Sequence, residues 1–549
     1  HILRRLSLAF SVRFQLLSDF GLTNPVLSGI IKPECNSVSS FLSMKSINQK
    51  GVFHMLQLAA VFSDHMVLQR EKNIVVFGIG EVGAIITVSI PERKLYASTT
   101  VKEDGSWRLQ FPPQPAGTGL SLFAKDSHTE IHFQDVAIGE VWLAGGQSNM
   151  EFPVKNAVNG KLELSRCERS RVRYYHVQRS GVMHAAYFQN ERKNRWQMPN
   201  PTNVAEWSAV AYLAAKELSQ KLGVVVGVIG CNYTGTSASC WVPSADLTGH
   251  TALHPYWAAY LSACRGKTDA EMAADYAAYL AYQNAWEKRM TACYQENPKI
   301  KWNQVLERCG ENRYPGPMGS RNPLRPCGLY KTMLSRIMPY TLRGFWYYQG
   351  ENDDNRPDSY AQLLTVLINR WRKDWGDETM PFLIVQLPMF SYEGEESRTN
   401  WAELREAQMQ VFRTLRNTGL AVTMDCGEYN NMHPADKRTV AHRLALQALY
   451  RVYRAIPAMD AEAPYCKNAY ASGGAYILQF SQPVVAKDGE AAVFELAGTD
   501  GVYYPAVAEF RDNFVRLTDR QDKDHPGQNI YSAWIKRENR QEHLDKHDI

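Results

Sequence analysis

Between residues 56 and 137 the apolar positions come in short runs, "NIVVFGI", "GAIITVSI", "SWRLQF", "LSLFAK" and "EIHFQDVAI", separated by Gly, Pro, Asp and Asn. That spacing predicts antiparallel strands and a small β-sandwich. From residue 138 the rhythm changes. The strands "EVWLA", "VVVGVIG" (224–230), "GFWYY" (344–348), "PFLIVQL" (381–387) and "LAVTMD" (420–425) are near-continuous apolar runs, as expected of strands covered on both faces. Helical segments alternate with them. Helices are predicted over 204–221, with Asn203 as cap, Glu206 three residues on and Gly223 closing the end, and over 358–374, 401–415 and 435–454, the last with Pro434 at its first position. Strand–helix alternation of this kind predicts parallel βαβ units and a three-layer α/β domain over 138–455.

Two regions break the alternation. Residues 244–320 form a helix-rich insertion, in which Thr268 and Glu271 make a capping box for a helix to about 295, followed by a Pro- and Gly-rich loop; a lid or a substrate wall are its two natural roles. From 456 to 549 short alternating strands return ("AYILQF", "AVFEL", "NFVRLT") before a charged tail. Residues 1–55 read as an N-terminal extension outside the core. Arg4, Arg5 and Arg13 flank an apolar stretch too short and broken for a signal peptide, and Met44 and Met55 are plausible starts.

Composition narrows the partners. A net charge of +5 is spread along the chain with no basic stripe, so a nucleic-acid partner is not expected and a small-molecule or glycan substrate is. No apolar stretch reaches the length of a transmembrane helix. The ten cysteines contain no CxxC pair, the histidines show no metal spacing, and no P-loop or GxGxxG precedes a helix, so neither metal nor cofactor is called for.

In an open α/β sheet, ligands bind beyond the carboxyl ends of the strands. The first such end carries Gly145, Gly146, Gln147 and Ser148; the second carries "CNYTGTSASCW" with Gly235 and Trp241; the third carries "QGEN", Gln349 to Asn352; the last carries His433. Each alone has a plain structural reading: Ser148 as a turn serine, His433 as a helix-capping or surface histidine. Together they supply the parts of acyl transfer from an ester. A serine hydroxyl needs a base, histidine is suited to be one, and glycine lets backbone N–H groups approach an oxyanion. The residues following Ser148 do not spell GxSxG, so an α/β-hydrolase elbow is not supported.

Five blocks, "GEVWLAGGQSNMEFPV", "SAVAYLAAKEL" with "GVVVGVIGCNYTGTSASCWVP", "GLYKTMLSRIMPYTLRGFWYYQGEND", "WAELREAQ" and "HPADKRTVAHRLAL", resemble in order those of the sialate O-acetylesterases, a carbohydrate-esterase branch of the SGNH hydrolases. The resemblance covers about 60–455. It implies a flavodoxin-like SGNH domain with β modules attached, and metal-free hydrolysis of O-acetyl groups such as that of 9-O-acetyl sialic acid. It also implies a periplasmic, extracellular or lysosomal-type setting. Carried over by position, Ser148 is the nucleophile, His433 the base, and Gly235, Gln349, Gly350 and Asn352 the oxyanion hole. Gln147, Trp241, Glu351 and Arg405 are candidates for the substrate, Arg405 for a sugar carboxylate; buried strand or helix-surface roles are the alternatives.

Two departures stand out. Thr234 replaces the first glycine of the turn that usually reads Gly-Gly-Thr. The family commonly has an aspartate two or three residues before the histidine, where this chain has Asn430 and Asn431. Three readings stay open: a Ser–His dyad helped by a carbonyl, a carboxylate from Asp425, Glu428 or Asp354, or a weakened enzyme. For substrate, sialate stands beside xylan or another polysaccharide. A carbohydrate-binding protein with a decayed esterase site is the alternative of another class.

Overall fold

The computed structural model describes residues 55–297, 300–392, 399–486, 494–497, 503–519 and 532–535. Nearly all of the expected N-terminal extension, and the charged tail beyond 535, lie outside these.

Eight strands come first: β1 (Gln57–Leu58), β2 (Val67–Gln69), β3 (Ile74–Ile79), β4 (Ile85–Ile90), β5 (Leu95–Thr100), β6 (Ser106–Phe111), β7 (Gly117–Lys125) and β8 (Glu130–Gly146). β1, β3 and β6 make one antiparallel sheet, and β5, β4, β7 and β8 run in that order in a second. Alternation sets the faces: in β6, Trp107, Leu109 and Phe111 point inward while Arg108 and Gln110 stay exposed.

β8 joins the two halves of the protein. Its first six residues alternate in exposure, and the eleven from Val136 are all buried, so one strand crosses the boundary expected at 137/138. Beyond it lie β9 (Val172–His176), β10 (Val226–Asn232), β11 (Gly344–Tyr348), β12 (Phe382–Val385) and β13 (Thr418–Ala421). Here the strands are all parallel, in the order β9-β10-β8-β11-β12-β13. The chain leaves β8 on one side for β9 and β10 and crosses to the other side for β11, which makes the end of β8 a topological switch point. β9 carries no clean apolar run because Arg173 interrupts it. The guanidinium is accommodated by Asp135 Oδ1 at 3.0 Å.

The helices used below are α1 (Ser148–Glu151), α2 (Ala209–Leu222), α3 (Asp269–Glu296), α4 (Trp302–Cys309), α5 (Pro357–Trp375), α6 (Asn400–Thr414) and α7 (Arg438–Arg451). α5 packs on α6, and α2 on α7. The pairs cover opposite faces of the parallel sheet: Trp371 of α5 lies against Gly145, whereas Trp142, pointing the other way, donates to Tyr453 Oη just after α7 at 3.1 Å. Strands β14 (Cys466–Ser472) to β19 (Ser532–Ile535) form a separate antiparallel sheet in the C-terminal region.

Two helix starts differ from expectation. Asn203 is not the cap of a helix from 204: Asn200 caps the turn Pro201–Glu206, Trp207 leaves helical geometry, and Ser208 caps α2 by accepting from Ala211 N at 3.1 Å. Gly223, at φ 70°, closes α2 as its freedom at positive φ suggests. α7 begins at Arg438 rather than at Pro434, because side chains hold the preceding segment in another course, as described below.

Where β8 begins its parallel pairing with β10 sits Glu140, fully buried, accepting from Arg70 Nε at 2.6 Å, Arg343 Nε at 2.7 Å and Gln69 Nε2 at 3.1 Å. Burial alone would raise its pKa, but Arg343 and Arg70 overcome that and hold it below the ordinary value. The carboxylate thus ties the N-terminal strands to the parallel sheet. Glu140→Ala is expected to cost about 3 kcal/mol in urea unfolding, since two arginines would be left with their partner removed; a loss below about 1 kcal/mol would contradict this.

Candidate active site

The switch point is built on a glycine. Gly146 has φ 132°, and a Cβ there would lie 2.0 Å from Tyr348 O. The strand ends are then stitched together: Gln147 N donates to Tyr348 O at 3.1 Å and Tyr233 N to Gly146 O at 3.0 Å. The next residue, Ser148, opens α1. Its Oγ lies 2.7 Å from His433 Nε2, so the nucleophile and base candidates meet across 285 positions of sequence.

The histidine loop is held from below. Asn431 Oδ1 accepts from His433 N at 3.0 Å, Asn431 Nδ2 donates to Glu428 Oε2 at 2.8 Å, and Glu428 Oε1 accepts from Ala435 N at 3.3 Å. These contacts occupy the backbone that a helix from Pro434 would have used. No acceptor is hydrogen-bonded to His433 Nδ1 among the described residues. Asn431 grips the main chain instead of the ring, and Asn430 is exposed. Asp425 is committed to Arg443, at 2.5 and 2.7 Å, and Asp354 accepts from Tyr392 Oη at 2.9 Å. Burial, with the nearby Lys437 ammonium, lowers the His433 pKa below its ordinary value.

Under Ser148 runs a buried polar chain. Asn149 is the hinge: Nδ2 donates to Glu351 Oε1 at 2.7 Å and Met432 O at 2.9 Å, and Oδ1 accepts from Lys437 Nζ at 2.5 Å. Burial pushes Lys437 down to about 8 and pushes Glu351 and Asp353 up. Sequence reasoning missed Asn149 and Lys437. Their signal was position alone, one residue after the serine and four after the histidine.

Several candidates face inward. Gln349, expected at the oxyanion hole, is fully buried, and its Nε2 donates to Asp353 Oδ2 at 2.7 Å, Thr236 O at 3.0 Å and Gln147 Oε1 at 3.2 Å. With its donors spent on these acceptors, its side chain braces the turn. Gln147 is also buried, and its Oε1 accepts from Gly350 N at 3.4 Å and Asn352 N at 3.3 Å. Turned over, the same amide donates to Thr236 O at 3.2 Å and Glu351 Oε2 at 3.0 Å. Of this turn only the Asn352 side chain is exposed. Glu351, expected to touch substrate, points down to Asn149. Trp241 has no exposed face: its Nε1 donates to Thr236 Oγ1 at 3.1 Å within the core. Arg405 is buried on α6 and donates to Pro388 O at 3.1 Å.

The second turn is gripped from α1. Glu151 Oε2 accepts from both Thr234 N and Thr234 Oγ1 at 2.8 Å, which gives the threonine at this usually glycine position a task. Arg179 pairs with Glu151 Oε1 at 2.6 Å and covers the Tyr233 ring at 4.6 Å. Gly235 follows at φ 75°.

Residues 321–449 match a family model described as carbohydrate esterase, sialic acid-specific acetylesterase, a span that includes the QGEN turn and His433. The chain is similar to the sialate O-acetylesterases. The mouse sialate O-acetylesterase is 26% identical over 424 residues, covering 71% of this chain and 72% of its own. The human sialate O-acetylesterase is 24% identical over 436 residues, covering 72% and 71%. A solved carbohydrate acetylesterase from Xanthomonas citri aligns with TM-score 0.67 and 26% identity over 87% of this chain and 93% of its own. Residues 65–131 match a bacterial Ig domain model, consistent with the sandwich expected there. Among the described residues no group of His, Cys, Asp and Glu could hold a metal ion, and no helix is long and apolar enough to cross a membrane.

Asn149 separates the Lys437 ammonium from the Glu351 carboxyl and satisfies both. Asn149→Leu is expected to destabilise the protein by roughly 2–4 kcal/mol, because both buried groups lose their partner. Thermal unfolding of wild type and variant checks it; an unchanged midpoint would show that the chain contributes nothing to stability.

Proposed function

We propose that this protein is a carboxylic ester hydrolase that removes O-acetyl groups from carbohydrates, acting on sialate esters as the named relatives do. The observation that carries the reading is the 2.7 Å contact of Ser148 Oγ with His433 Nε2 at the switch point of a parallel sheet. We assign the α/β region to the flavodoxin-like SGNH hydrolases, with the regions before β8 and after α7 as attached β modules.

His433, neutral at pH 7 because its pKa is lowered, takes the Ser148 proton on Nε2 as Oγ attacks the acetyl carbonyl. The tetrahedral oxyanion is assigned to the Gly235 N–H and the exposed Asn352 side-chain amide, while the Gly350 N–H stays covered by the Gln147 amide. His433 then protonates the departing sugar oxygen, and the same base activates the water that releases acetate from Ser148. No acceptor on Nδ1 is needed to hold the ring in place, since Asn431 and Glu428 fix the backbone on which it sits. Broader substrates, xylan among them, remain within the proposal because the neighbour from Xanthomonas citri is named only as a carbohydrate acetylesterase.

Ser148→Ala is expected to lower acetate release from an O-acetylated sialic acid by roughly ten-thousandfold, the scale seen when a serine nucleophile is removed. Turnover equal to wild type would refute the assignment. Parallel rates on acetylated xylan rank the two substrate classes.

A further inference from the structure

The insertion contains a helix with little core of its own. Of the 28 residues of α3, only Gln283, Trp286 and Cys293 are buried. At its far end Trp286 and Cys293 pack with Ile300, Val305 and Cys309 from α4 and its approach. Along the rest of its length α3 serves as a rail for the loop 310–322. Trp286 Nε1 donates to Gly310 O at 2.8 Å, Tyr282 Oη donates to Glu311 O at 2.6 Å, and the Arg313 guanidinium lies 3.9 Å over the Tyr282 ring. Further along, a Cβ on Gly316 would come within 2.6 Å of Tyr279, and Asp269 accepts from Ser320 Oγ and Arg321. Asn322, buried, closes the loop by donating to Pro315 O and Pro317 O at 3.1 Å. A Pro- and Gly-rich loop is thereby held in one course.

That course delivers Tyr314 to the rim. Its hydroxyl rests on Gly235: a Cβ on that glycine would lie 1.5 Å from Tyr314 Oη. Gly235 follows the end of β10, whose Tyr233 N is bonded to Gly146 O, so Tyr314 stands over the turn beside Ser148. The residue is 45% exposed, burial around the phenol raises its pKa, and Oη makes no hydrogen bond among the described residues. A partly exposed tyrosine and an unspent hydroxyl are what a sugar can use, the hydroxyl for a hydrogen bond to the sugar.

We infer that the insertion is a substrate wall and that the Tyr314 hydroxyl hydrogen-bonds the sugar carrying the acetyl group, making it a specificity-determining residue. The inference rests on the esterase reading above. A bare acetate ester has nothing to offer Tyr314, whereas an acetylated sugar does. Discrimination between the two is therefore partly written in this one side chain.

The test compares kcat/KM for an O-acetylated sialic acid and for p-nitrophenyl acetate in wild type, Tyr314→Phe and Tyr314→Ala. The ratio of sugar to small ester is expected to fall roughly fivefold in Tyr314→Phe, as one neutral hydrogen bond would give, chiefly through KM, and further in Tyr314→Ala. A ratio unchanged in both variants overturns the inference. So does an equal fall on both esters, which would make Tyr314 a prop for the Gly235 turn. Wild type active on the small ester but releasing no acetate from any O-acetylated sugar would overturn the substrate reading itself, and this inference with it.

Discussion

The close passage of Gly146 beneath the Tyr348 carbonyl is the constraint on which the rest of the site depends. Because no side chain fits there, the ends of β8, β10 and β11 converge within hydrogen-bond reach, and the turns that follow them share one rim. Ser148 is lifted out of the buried strand at that point. Everything that could act on an ester, His433, Gly235 and Asn352, is placed relative to this step. The buried chain from Lys437 through Asn149 to Glu351 fixes the same step from below, linking the serine's neighbour to the histidine's loop and to the QGEN turn.

Electrostatics at the histidine run against the usual arrangement, in which a carboxylate stabilises the imidazolium. Here the ring faces a serine on one side and no described acceptor on the other, with an ammonium nearby. Asn431 and Glu428 divide the work differently: the amide holds the main chain, and the carboxylate holds the amide. An aspartate at 431 would set two carboxylates 2.8 Å apart unless Glu428 changed with it, so the asparagine and the glutamate form a unit. The ring's position is thus secured without giving it charge support, and a low proton affinity is the consequence.

Much of this was legible in the chain because buried parallel strands announce themselves. "GFWYY" has no other stable place, and the residue after each such strand must lie at the rim. Ser148 falls under that rule, and His433 lies in the longer segment that follows the last such strand. The rule fails for direction: Gln349 and Glu351 after a strand end, Trp241 in the segment after another and Arg405 on α6 all turn in to satisfy buried partners that no local pattern records. Helix starts were misjudged where side-chain contacts overrode local propensity, at Trp207 and at Pro434. Tyr314 was invisible for another reason, since only the folded insertion brings that loop to Gly235.

In the proposed mechanism His433 works as a base without a carboxylate facing its ring. The pH dependence of kcat/KM on an O-acetylated sugar tests this most directly, since its acid limb reports the pKa of the free enzyme's base. Catalysis needs the neutral ring, so activity falls as pH drops through that pKa. With burial and Lys437 both disfavouring the imidazolium, the midpoint is expected below about 6.5, the ordinary histidine value. A midpoint clearly above it would contradict the account, because only a negative charge facing the ring would put it there.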